Sequence, residues 1–129
     1  LDEPGEDPAE AAARELREET GLVAEDWQVL VDVASSPGFC DESVRVYLAR
    51  GLRHVGRPEG EHEEADLTVH WLGLRDAADR VLTGGIVNAT AAAGVLAAHA
   101  VIVDGKRTRP VDAPWPDRPT AFAARRTGT

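Results

Sequence analysis

Methionine is absent from all 129 residues, and cysteine occurs once, at Cys40. A single thiol excludes an internal disulfide framework and suits a reducing compartment, so the cytoplasm is the expected setting. Basic charge is in short supply. Fourteen Lys and Arg face 23 Asp and Glu, and the net charge of −9 excludes nucleic acid as a bulk electrostatic partner. No apolar run approaches the length of a membrane span, and no signal peptide is visible. Lysine is nearly missing too: Lys106 stands alone beside thirteen arginines, a bias that fits a GC-rich bacterial genome. An apolar fraction of 43% is ordinary for a globular domain.

What the chain does have is carboxylate, concentrated near its start. Residues 14–22 read Arg-Glu-Leu-Arg-Glu-Glu-Thr-Gly-Leu, with Glu6 upstream. Helix signals surround this run. Asp7 can cap, Pro8 suits the first helical position, Glu10 completes a capping-box pattern, and Gly21 can end the helix in a left-handed conformation. Ala9, Ala12, Ala13 and Leu16 supply an apolar stripe. On that helix Glu15 and Glu19 share a face, with Glu18 beside them. Like charges at this spacing repel. A hard divalent cation such as Mg²⁺ or Mn²⁺ would relieve the repulsion; a solvated acidic face is the plainer alternative.

The spacing resembles the Nudix box, G-x5-E-x7-R-E-U-x-E-E-x-G-U, where U is bulky and aliphatic. Glu6 fills the isolated Glu position, Arg14-Glu15-Leu16 the R-E-U, Glu18-Glu19 the paired acids, and Gly21-Leu22 the close. The opening Gly would fall one position before Leu1. With no initiating Met, the expectation is therefore the C-terminal part of a longer chain whose earlier strands lie upstream. The resemblance implies an α/β fold, a Nudix α/β/α sandwich with a mixed sheet, over residues 1–103. It also implies metal ligation by Glu15 and Glu19, with Glu18 coordinating or bridging through water. Arg14 is expected to orient one of these carboxylates, and Glu6 to assist by hydrogen bonding or through water. The implied chemistry is metal-assisted hydrolysis of a diphosphate, in which cations neutralise the phosphates and activate a water for a general base.

Along the rest of the chain, residues 27–34 alternate as a strand, with Trp27, Val29, Val31 and Val33 expected on one face. A second strand is expected over 43–50, with Val44, Val46 and Leu48 inward, and a third over 67–72. Residues 74–82 read as an amphipathic helix, with Leu74, Ala78, Val81 and Leu82 apolar. Residues 86–101 read as an Ala-rich helix, interrupted by Asn88, Thr90 and His99, that is buried in a core or faces a second copy. Residues 104–129 carry prolines and no periodicity, which predicts an extended or disordered tail.

Two loops carry the remaining site expectations. Residues 53–66 lack periodicity and hold Glu59, Glu61, Glu63, Glu64 and Asp66. In ADP-ribose pyrophosphatase-type Nudix enzymes, a late-loop Glu before a strand acts as the base. The resemblance points to Glu64 and then Glu63, against the alternative of a solvated acidic loop. His62 and His70 read as incidental, and Cys40 as a bystander. That branch also carries a Pro some fifteen or sixteen residues after the box, and Pro37 lies fifteen beyond Leu22. Ser36, Pro37, Gly38, Phe39, Asp41 and Glu42 would then bind substrate, with Gly38 allowing close backbone approach and Glu42 accepting from sugar hydroxyls. A plain Pro-Gly turn is the alternative.

The resemblance implies hydrolysis of ADP-ribose to AMP and ribose 5-phosphate. It also implies a homodimer in which the N-terminal region of one subunit completes the partner's site. Neither a nucleic acid nor a membrane partner is expected. The rivals are a Nudix hydrolase of another nucleoside diphosphate derivative, a non-catalytic ADP-ribose-binding domain, and a purely structural metal site.

Overall fold

The computed structural model describes residues 6–34, 42–56, 72–116 and 118. The chain order is α1 (Pro8–Thr20), β1 (Leu22–Ala34), β2 (Ser43–His54), α2 (Leu74–Leu82), α3 (Ala89–Ile102) and β3 (Arg109–Pro110). The sheet has the order β2-β1-β3, and both pairings are antiparallel. The α/β class is as expected; any parallel member of a mixed sheet would fall outside the described residues.

Helix α1 is set by its ends. The Asp7 carboxylate accepts from the backbone N–H of Ala9 and Glu10, each at 3.1 Å, and Pro8 opens the first turn. Gly21 closes the helix at φ 76, where a Cβ would be strained, and donates its N–H to the Arg17 carbonyl. The fully buried position is Ala11, which the expected stripe of Ala9, Ala12, Ala13 and Leu16 does not include. Ala11 lies one turn before Glu15, so the helix turns its carboxylate side toward the sheet.

Strand β1 begins at Leu22, five residues before the alternation becomes visible at Trp27. It pairs with β2 along its length, but the register changes between Val29 and Val31 and leaves Leu30 as an extra residue, a β-bulge. Trp27 and Val29 sit opposite Ala49 and Tyr47, whereas Val31 and Val33 sit opposite Val46 and Val44. The expectation that Trp27, Val29, Val31 and Val33 share a face is therefore wrong. A bulge resets side-chain parity, and strict alternation in sequence cannot reveal it. Trp27, Val29, Asp32, Arg45 and Tyr47 face α1, and Val29 is completely buried. The rings of Trp27 and Tyr47 meet edge to face at 6.0 Å.

The other face carries Val31, Val33, Val44, Val46 and Leu48, as expected for β2, and α3 lies over it. The buried Gly94 permits the close approach: a Cβ there would stand 3.2 Å from Val46 Cγ1. Helix α3 starts later than expected because Asn88 is its cap rather than an interruption, accepting from the Ala91 N–H at 2.9 Å. Helix α2 has the expected bounds and packs on α3 through Ala77 and Ala78. Leu82, expected on its apolar face, is 75% exposed, since it lies in the last turn beyond that contact. Of the third expected strand, residues 67–71 lie outside the described residues, and Leu72 is not in a strand.

After α3 the chain returns across the sheet. Strand β3 pairs Arg109 with Val29 and Pro110 with Gln28. Thr108 also shares a side-chain hydrogen bond with Gln28. Residues 111–116 then run past the start of β2. Arg45, with a side chain only 4% exposed, donates to the carbonyls of Ala113 (2.8 Å) and Pro114 (2.9 Å), and its guanidinium lies 5.0 Å over the Trp115 ring. Trp115 Nε1 donates to Ser43 Oγ at 3.3 Å.

Candidate active site

Helix α1 places Arg14, Glu15, Glu18 and Glu19 within two turns. Arg14 makes a forked contact with Glu6, Nη2 to Oε1 at 3.1 Å and Nε to Oε2 at 3.3 Å, and its Nη1 reaches Glu18 Oε1 at 3.4 Å. The expected orienting role thus has a closer partner than Glu18, namely Glu6. Its hydrogen bond with Glu6 holds the Arg14 guanidinium well above its ordinary pKa, with Glu18 and Glu15 adding to the effect. Planar fork geometry fixes both groups, which a lysine could not do.

The Glu19 carboxyl is pushed above its ordinary range by partial burial first, and then by the negative charge of Glu15 and Glu18. The charges of Glu15 and Glu18 are therefore near enough to be felt at Glu19. Among the described residues, no three His, Cys, Asp or Glu side chains converge into a ready cation site. Glu18 is turned toward Arg14 instead. The donor set fits a hard divalent cation in kind: carboxylate oxygens on one stretch of helix, with Arg14 as a neighbouring cation.

Glu15 also lines a crevice between α1 and β2, with Pro8, Ala12, Ser43, Tyr47 and Trp115 around it. Its volume is about 240 Å³, and a neighbouring crevice of about 260 Å³ shares Pro8, Arg45, Tyr47 and Trp115 and reaches Arg118. Burial raises the Tyr47 hydroxyl pKa, countered by Arg45. Glu42 is exposed and directly precedes Ser43, at the sheet end beside this crevice. Ser36, Pro37, Gly38, Phe39 and Asp41, as well as Glu63 and Glu64, lie outside the described residues.

Sequence reading missed Arg45, Asp32, Trp115 and Arg118. Asp32 accepts from Arg45 Nε (2.7 Å) and Nη2 (3.0 Å) and from Arg109 Nη2 (3.1 Å). Arg118 Nη2 donates to the Glu6 carbonyl at 2.9 Å. The available signal was a tryptophan among prolines, a large apolar group with no reason to stay in solvent.

The chain matches the NUDIX domain over residues 2–90 and belongs to the Nudix family. It is 64% identical, over 126 residues and 98% of its length, to an ADP-ribose pyrophosphatase of Mycobacterium tuberculosis, of which it covers 61%. An ADP-ribose pyrophosphatase of Bacillus subtilis is 39% identical over 75 residues, 58% of this chain and 40% of that protein. A CMP-5'-(N-acetyl-N-hydroxy-3-aminopropyl)phosphonate hydrolase of Streptomyces rubellomurinus is 39% identical over 92 residues, 71% of this chain and 44% of that protein. The chain thus spans less than two thirds of the length of each of these relatives.

Proposed function

We propose that the protein is a Mg²⁺-dependent Nudix pyrophosphatase that hydrolyses ADP-ribose to AMP and ribose 5-phosphate. The observation that carries this reading is the likeness, along nearly the whole chain, to the mycobacterial ADP-ribose pyrophosphatase. The forked Arg14–Glu6 contact and the crowded carboxylates of α1 support it from the geometry.

In this reading Glu15 and Glu19 hold the cation, with Glu18 coordinating or bridging through water, and Mn²⁺ can substitute. Bound Mg²⁺ supplies positive charge against the diphosphate and lowers the pKa of water. Arg14 keeps Glu18 oriented. Glu64, or failing it Glu63, takes the proton of the water whose oxygen attacks a phosphorus of the bridge. The P–O bond to the bridging oxygen breaks, and the departing phosphate keeps the electron pair. Ser36, Pro37, Gly38, Phe39, Asp41 and Glu42 position the ribosyl and phosphate groups. We assign the Nudix hydrolase domain to residues 1–103, with 104–129 as a C-terminal tail, extended where it crosses the sheet as β3. The protein works as a cytoplasmic homodimer whose sites draw on a region N-terminal to the box. Neither nucleic acid nor membrane is a partner; among the described residues no helix is long and apolar enough to cross a membrane.

The likeness to the CMP-phosphonate hydrolase favours a second reading, hydrolysis of a different nucleotide conjugate by the same residues. The test follows AMP release from ADP-ribose with Mg²⁺, comparing wild type with Glu64→Gln. Release that falls at least about a hundredfold in the variant is expected for a general base. Unchanged release moves the base to Glu63, and no release from wild type overturns the ADP-ribose reading.

A further inference from the structure

The contacts of Arg118 form a connected series that ends at the metal-binding helix. Arg45, gripped by Asp32 on β1, holds the carbonyls of Ala113 and Pro114, and Trp115 is fixed by its bond to Ser43. Three residues further on, the Arg118 N–H donates to the Trp115 carbonyl at 3.0 Å, which sets where its side chain departs. That side chain then donates to the Glu6 carbonyl at 2.9 Å. Glu6 lies just before the helix cap, and its own carboxylate forks onto Arg14, which reaches Glu18. A peptide unit held at its carbonyl has less freedom to rotate its carboxylate away from the fork.

We propose that Arg118 is a positioning residue for the cation site, acting through Glu6 and Arg14 on Glu18. Granted the metal-binding role assigned to α1, the C-terminal segment belongs to the catalytic apparatus although it lies far along the chain from the box. Orienting groups behind metal ligands alter affinity by about 10- to 100-fold. Arg118 acts two contacts further back, so about three- to tenfold is expected.

Two measurements on the purified protein test this. The first needs no metal: the Arg14 Nε–H signal in nitrogen-15 NMR reports the bond to Glu6. Its solvent exchange is slow in wild type and accelerates in Arg118→Ala, while the melting temperature stays within about 1 °C. The second is Mn²⁺ binding followed by electron paramagnetic resonance. Arg118→Ala weakens binding about three- to tenfold, and Arg118→Lys, which keeps a donor, recovers part of the loss. In a Glu6→Gln background, which disables the intermediate, Arg118→Ala adds nothing.

Additive losses in the double variant, or wild-type Mn²⁺ affinity in Arg118→Ala, overturn the proposal. Coupling that survives while ADP-ribose is left intact defeats only the substrate assignment. Hydrolysis without coupling defeats only the role of Arg118. A wild type that binds no Mn²⁺ defeats both.

Discussion

Arg45 and Asp32 face each other across β2 and β1 in a two-point contact, with the arginine side chain almost wholly covered. Removing one member of such a pair strands the other, which costs about 3–5 kcal/mol where the survivor is buried. Arg45→Ala also releases the carbonyls of Ala113 and Pro114 and the cation–π contact with Trp115. We expect about 3 kcal/mol of destabilisation in urea unfolding, with the tryptophan emission of the native state changed as Trp115 loses its cover. Arg45→Lys is expected to recover less than half, because an ammonium cannot reproduce the fork.

The same pair sets an acid limit. Hydrogen bonding to Arg45 holds the Asp32 carboxyl below the ordinary carboxylate range, with Arg109 assisting. The folded-state pKa is depressed, so this stabilisation is fully present above the unfolded value of about 4 and fades as pH falls through the lower folded value. Wild type should therefore exceed Asp32→Asn in urea midpoint at pH 7, and the two curves should converge as pH falls through the depressed folded value. A gap that stays constant with pH would remove Asp32 as the cause.

Glu19→Gln separates stability from function. The substitution removes a charge that Glu15 and Glu18 repel, so the metal-free protein should gain a few tenths of a kcal/mol, about the size of an i,i+4 like-charge penalty. Metal-dependent hydrolysis should fall by about two orders of magnitude or more. A calorimetric melt without metal and a rate with Mg²⁺ check the two halves.

Gly94 offers a packing test. Alanine there gains about 1 kcal/mol of helix propensity but sets its Cβ 3.2 Å from Val46, so Gly94→Ala should come out near neutral. Gly94→Val should lose about 2 kcal/mol or more through overpacking. Adding Val46→Ala should restore part of that loss if the contact is the cause.

These elements divide according to whether their signals are local. Asp7, Pro8 and Gly21 fix α1 within a few residues of chain, and the box spacing alone nominates Glu15, Glu18 and Glu19 as candidate ligands. The bounds of α2 were likewise readable. Leu30 was not, because a bulge is defined by the partner strand. Nor was the partnership of Arg14 with Glu6 over Glu18 in tightness, which depends on how the chain enters the helix. The path of residues 109–118 depends on Arg45, more than sixty positions upstream, and no periodic pattern encodes such a contact.

Leu30 has a bearing on charge as well as on shape. Counting straight through from Val29, Asp32 would stand opposite Val44, its carboxylate pressed into the aliphatic layer beneath α3 with no cation in reach. Leaving Leu30 out of the ladder keeps it on the opposite side, where Arg45 and Arg109 meet it. The bulge thus works as a sorting device. It delivers valines to one helix and an acid to the C-terminal crossing; forcing Leu30 into the ladder would exchange the two destinations, whereas deleting it would leave both in place.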